Sequence, residues 1–287
     1  VLVIIQLSGG NDGMNMVIPV ASYSNYFNAR SNIAIPQNRV LSISGVSGTG
    51  LHPSMTGLQS LFSEGKAKLV QAVGYPQPNF SHFRATDIWM SASNSNQEVY
   101  SGWAGRYLNY EFPNFPTGYP NPDAPDPLAI QIGSTTTLTT QGPTVNMGMS
   151  ITNPTTFYNL ISGVTDPVPN TPAGKELSFI RTVNQQTQKY ATVIRTAATN
   201  VPVQGTYPSN NSLADQLKIV ARLVKGGLKT RVYMVSFGGF DTHSVQAQAD
   251  TTTGAHATLL QRVSDAIKAF QDDLRGLGVE ERVIGMT

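Results

Sequence analysis

Apolar residues along this chain fall into two registers. Short, β-branched runs stand at Val1–Leu7, Leu69–Val73, Leu128–Ile132, 231–237 and 282–287, the lengths of buried strands. Between them the apolar positions recur with a 3.6-residue period. Leu58, Leu61 and Phe62 form one face of a helix predicted over 53–65, and a second helix is predicted to start at Ser81 and run through Ile88 and Trp89. Thr171-Pro172 is an N-cap followed by proline at the first helical position, and Leu177, Ile180, Val183, Tyr190, Val193, Ile194 and Ala197 then keep the period. Ser212-Leu-Ala-Asp215 reads as an acidic capping box ahead of Leu213, Leu217, Val220 and Val224, with Gly226-Gly227 closing that helix. A last helix over 256–277 carries Leu259, Val263, Ile267, Phe270, Leu274 and Leu277, and ends at Gly278. Helix, strand 231–237, helix and strand 282–287 form a crossover unit, so the sheet is predicted to be mostly parallel with helices on both faces.

The rest of the chain is loop-rich. Residues 113–127 hold six prolines and read as a surface excursion, and 134–170 are rich in Thr, Gly, Asn and Pro. We therefore expect a single α/β domain over 1–287 with a loop-rich insertion around 111–172.

Composition narrows the function classes. In 287 residues charged side chains make up 13%, the net charge is +2 and no basic run occurs, so the electrostatic footprint of a nucleic-acid binder is missing. Cysteine is absent, which removes disulfides, thiolate metal sites and a cysteine nucleophile. No stretch approaches the ~20 apolar residues of a membrane span. The opening apolar run is broken at Gln6 and lacks a basic flank, unlike the ~7–15-residue core of a signal peptide. It reads as a strand whose natural start lies upstream, and the run at 282–287 stops before any following loop.

Three segments carry candidate chemistry. Ser8-Gly9-Gly10-Asn11-Asp12-Gly13 follows the first strand and delivers a carboxylate to the carboxyl edge of the sheet, where open α/β folds bind ligands. It matches neither the G-x-G-x-x-G fingerprint nor a P-loop, and an aspartate beside a phosphate requires a cation between them. The other reading is a tight turn with an Asx-type bond. Phe237-Gly-Gly-Phe-Asp241-Thr-His243 repeats the design, with an oxygen and an imidazole two residues apart, suited to zinc or manganese; the other reading is a loop with a capping Asp and an exposed His. Asn79-Phe-Ser81-His-Phe-Arg84 puts Ser81 at a helix start, where free N–H groups favour an oxyanion, with Arg84 three residues on as a second catalytic candidate. A plain N-cap explains Ser81 equally well. His52 and His82 read as structural, and His256 as lying on a solvent-exposed helix turn.

Taken together, SGGNDGMNMVIP, LHPSMTGL, SHFRATDIW, GWAGR at Gly102–Arg106 and GGFDTHSVQ, in this order and across essentially the whole chain, resemble the bacterial domain-of-unknown-function family numbered 1501, within the alkaline phosphatase/sulfatase-like superfamily. The resemblance implies an alkaline-phosphatase-like α/β fold and export to the periplasm or medium. It also implies a metal-dependent hydrolase of small-molecule or glycan phosphate (less readily sulfate) esters. It assigns Asp12 to a first metal, Asp241 and His243 to a second, and Ser81 to the nucleophile position. The Asp-Thr-His spacing is shorter than in alkaline phosphatases themselves. The sulfatase branch needs a Cys or Ser in a Cys/Ser-x-Pro-x-Arg setting, whereas Ser81 precedes His82-Phe83-Arg84. Family members continue with Ser-Glu-Phe-Gly-Arg and Gly-Thr-Asp-His-Gly segments that this chain lacks, so a C-terminally incomplete and inactive fragment is expected. A non-catalytic exported binding protein that keeps the fold is the alternative, and a phosphomutase-like transferase a third reading.

Overall fold

The first apolar run forms β1 (Leu2–Ser8), and its alternation decides which side chain meets which layer. In the computed structural model β1 lies between β7 (Val232–Gly238) and β8 (Ile284–Met286), in a five-stranded sheet of order β6-β5-β7-β1-β8 whose pairings are all parallel. The other two strands are β5 (Ala129–Ile132) and β6 (Gly148–Ile151). The structure describes residues 1–155, 169–201 and 203–287. Residues 156–168 of the Thr- and Pro-rich stretch lie outside it, as does the side chain of Val183.

Helices cover both faces of the sheet. Val3, Ile5, Ile130, Ile132, Tyr233 and Val235 share one buried cluster with residues of α6 (Pro172–Thr199), α7 (Ser212–Lys225) and α8 (Ala255–Gly276). Ile4, Ala129, Val232 and Met234 point the other way. They pack with Ala104 and Leu108 of α5 (Trp103–Glu111) and with Trp89 of α4 (His82–Ser91). The proline-rich excursion belongs to this second layer, through Phe112, Phe115 and Tyr119. The α/β class with a parallel sheet is thus as the apolar pattern predicts. β7, α8 and β8 form the expected crossover, with β8 passing over β1 to pair on its far edge.

Between β1 and α5 the chain builds a smaller antiparallel sheet. Its order is β2-β4-β3, made of β2 (Val17–Ile18), β3 (Leu41–Ile43) and β4 (Val46–Leu51). α1 (Gly13–Met16) and α2 (Tyr23–Ala29) flank it, and α3 (Thr56–Ser63) follows. Its centre is Tyr26, whose hydroxyl donates to Asn15 Oδ1 at 2.7 Å and accepts from the Ile35 amide at 2.8 Å.

Three expectations change. Leu69–Val73 is not a strand: the segment is irregular, with Val70 and Val73 76% and 79% exposed. Both edges of β1 are already paired, by β7 and β8, so this run finds no ladder there for its backbone groups. The cap of α7 is Asn211, one residue before the predicted Ser212. The side chain of Asn211 accepts from the Ala214 amide and donates to the Arg262 carbonyl at 2.8 Å. His256 is not on a solvent-exposed turn but 2% exposed, because the first turn of α8 packs against β4's end and the first glycine loop. Asn211→Ala is expected to cost about 2 kcal/mol, read as a lower denaturant midpoint, since it removes a cap and leaves the buried Ala214 amide unpaired. An unchanged midpoint would show the cap to be replaceable by water. No helix among the described residues is long and apolar enough to cross a membrane.

Candidate functional site

Parallel pairing of β1 and β7 in the register Ser8↔Gly238 brings the two glycine loops to one rim. They touch there. The Gly10 amide donates to Asp241 Oδ1 at 2.6 Å, and the space a Cβ on Gly9 would need is filled by the Asp241 amide at 2.8 Å. Gly9 has a φ of 113°, and Gly239 a φ of 100°. Both glycines therefore meet a real backbone requirement, and at Gly9 the second loop also leaves no room for a side chain.

The two aspartates sit differently. Asp12 is the N-cap of α1, with Oδ1 accepting from the Asn15 amide at 3.2 Å. Its Oδ2 accepts from Arg30 and from Gln246, the latter belonging to the second loop. Asp241 is 43% exposed, and Oδ1 is also 3.0 Å from His82 Nε2. Its Oδ2 has no protein partner among the described residues. The imidazole that reaches Asp241 is therefore His82. His243 opens a short 3-10 turn in the left-handed region with φ 43°, is exposed, and makes no ion pair with Asp241.

Ser81 stands at the N-cap of α4, but its hydroxyl makes no capping bond, and its own amide donates to Asn79 Oδ1 at 2.9 Å. The first amides of α4 have no intrahelical acceptor. Arg84 is committed elsewhere. Its guanidinium donates to the carbonyls of Asn94 and Gln97, and so holds the turn in which Ala92 closes α4 with φ 53°. That engagement makes Arg84 a brace for the loop after α4, without a bond to the rim.

Asp12, Asp241 and His243, the set the resemblance implies for metal binding, do not fit a two-cation centre as folded. Asp12 is neutralised by Arg30 and has both oxygens occupied, and Arg30 Nε is itself buried without a hydrogen-bond partner. Among the described residues no group of three or more His, Asp or Glu side chains is placed to hold a cation. A cation at Asp12 has to displace Arg30.

A cavity of about 220 Å3 opens beside this rim, between β1 and α4. Gln6, Gly9, His82, Thr86, Trp89 and Thr287 line it. Beneath the first loop lie two buried imidazoles. His52 accepts from the Ser54 amide at 3.1 Å, and His256 Nε2 is 3.0 Å from Asn11 Oδ1; the rings are 6.1 Å apart. Burial, and then the neighbouring His256, push the His52 pKa down to about 4. Burial also lowers that of His256, against the pull of Asp12.

Sequence reasoning passed over His82, Arg30 and Gln246 as members of the rim. Each reaches its aspartate from a distant element, and only Ser81's neighbourhood hinted at His82. Comparison with protein-family models, with curated proteins and with solved structures finds no match for this chain.

Proposed function

We propose that the rim formed by the two glycine loops and the start of α4 is a phosphate-ester hydrolase site with Ser81 as nucleophile. The observation that carries the reading is the contact of Asp241 with both Gly10 and His82. It gathers three segments distant in sequence, one of them the serine-bearing helix start, at a single sheet edge. Ligand sites in open α/β sheets lie at that edge.

The chemistry assigned to these residues is an in-line displacement. Ser81 Oγ bonds to phosphorus as the ester P–O bond breaks, and the proton the serine hydroxyl gives up ends, by way of solvent, on the departing alkoxide. Water then cleaves the phosphoserine, returning the serine and releasing inorganic phosphate. The unpaired amides of α4 and its dipole stabilise the charge on the non-bridging oxygens. Asp241 holds His82 through Nε2, leaving Nδ1 as the position from which a proton can be held or passed. The alkaline-phosphatase-like class and an exported setting go with this proposal.

Incubating the full-length protein with p-nitrophenyl phosphate, with and without zinc or manganese, tests the reading. Release of nitrophenolate and a phosphoserine mapped to Ser81 are expected, both abolished by Ser81→Ala with the circular dichroism spectrum unchanged. Unaltered turnover in Ser81→Ala returns the serine to a helix start without chemistry. No turnover under any of these conditions favours the non-catalytic binding protein.

A further inference from the structure

We infer that the cavity between β1 and α4 is a subsite for one sugar or polyol ring, the alcohol portion of the phosphate ester. The inference rests on the hydrolase reading only for the words "of the ester"; the pocket is argued from its own walls. Gln6 is the key observation. It is 7% exposed, on the β1 face that also carries Ile4, yet its carboxamide makes no hydrogen bond among the described residues. Its nitrogen and oxygen are not among the sealed, unpaired polar atoms, so they open onto the cavity. Lining the cavity, the carboxamide can be satisfied only from that space, by water or by a ligand.

The other walls define what suits it. Trp89 and Ala85 give apolar surface, Thr86 a hydroxyl, and His82 an imidazole at the mouth. An aromatic ring beside a carboxamide and a hydroxyl matches the two sides of a sugar: C–H groups against the ring, hydroxyls against the amide and Thr86. A carboxamide donates and accepts side by side, which pairs with adjacent hydroxyls. No Asp, Glu, Lys or Arg side chain lines the space, which suits a neutral group. At about 220 Å3 the cavity is smaller than the roughly 300–1,000 Å3 of sites for drug-sized ligands, which limits the occupant to a single ring. His82 links this space to Asp241 and to the helix start at Ser81, so a ring seated here presents its ester oxygen toward the serine.

The test is direct binding, independent of turnover. In a Trp103→Phe background, leaving Trp89 as the sole indole, fluorescence is titrated with glucose, mannose, myo-inositol, phenol and adenosine. Saturable quenching by a hexose or inositol is expected, weakened tenfold or more by Gln6→Leu and, separately, by Thr86→Val. The second variant guards against a misfolded first. Absence of saturable polyol binding, binding indifferent to both substitutions, or tighter binding of phenol or adenosine each overturns the subsite. These outcomes stand apart from the p-nitrophenyl phosphate assay, whose aryl ester needs no sugar pocket: phosphoserine without polyol binding removes this inference alone, and polyol binding without phosphoserine removes the hydrolase reading alone.

Discussion

Gly105→Ala is expected to destabilise the protein by about 3 kcal/mol or more, although alanine in a helix interior ordinarily improves on glycine by about 1 kcal/mol. The sign reverses because α5 presses its glycine face onto the backbone of the following loop. A Cβ at Gly105 would stand 2.2 Å from the Gln141 carbonyl oxygen and 2.7 Å from the Gly142 amide nitrogen. Gly102 meets the Leu138 carbonyl oxygen at 1.9 Å on the same test, and its own amide donates to Gln141 at 2.8 Å. Neither neighbour is a flexible side-chain end, so the helix itself must move. Movement of α5 carries Arg106 with it, whose guanidinium donates to the carbonyls of Ser101 and Ser91 at 2.6 and 2.7 Å. Ser91 ends α4, so the strain reaches the helix that begins beside Ser81. Gly276→Ala is the control: no atom lies within 4 Å of its Cβ position, and the same substitution should be neutral or stabilising. Urea denaturation of the two variants decides the matter. Midpoints shifted in the same direction would show that the loop yields and that the helix–loop contact is loose.

These glycines also show how far the sequence could be read. Gly102–Arg106 stood out only as part of the resemblance, and its close approach to the loop at 138–142 was not legible, because that loop has no periodicity to announce where it lies. Elements that bury one face were legible. The strand before Gly9, the strand before Gly239 and the helices at 213–224 and 259–274 carry their own period, and their parallel order follows from the crossover. Leu69–Val73 fails because an apolar run makes a strand only where an edge is vacant, and β8 occupies the one beside β1. At the site, Asp12, Asp241 and Ser81 were legible as residues at element ends, where loops meet the rim. Their partners were not. Arg30 and Gln246 on Asp12, and His82 on Asp241, arise from tertiary contacts that composition and spacing do not encode.

Acid is expected to loosen this rim before it unfolds the sheet, through the two imidazoles under the first glycine loop. His52 and His256 are 1% and 2% exposed, and both are held neutral by burial. Above the ordinary histidine pKa near 6.5 neither the folded nor the unfolded chain carries these protons, so they make no difference to stability. As pH falls through that value the unfolded chain takes them up while the native one excludes them, and stability declines until the native His52 itself titrates at about 4. For His52 alone the loss over that window is about 3 kcal/mol, and His256 adds to it in the same direction. Charging His256 also places a cation within 6.1 Å of the other ring, facing Arg30 as well as Asp12, so the second proton is resisted more than the first. The hydrogen bond from Arg275 holds the Glu64 carboxyl below its ordinary value, and its protonation is a separate acid-side loss. The comparison must therefore be between native protein and His52→Gln, not between two pH values alone. The gap in urea midpoint between the two should shrink as pH drops from 7.5 to 4.5, because the variant has lost the group that disfavours the native state in acid. Parallel midpoint curves would mean that His52 keeps its ordinary pKa and is hydrated in solution. Asn11 joins His256 to the loop that ends in Asp12, so opening the pair displaces that aspartate from Arg30 and Gln246. Any activity at the rim is accordingly expected to decline as pH falls below the ordinary histidine range, through the fold beneath it.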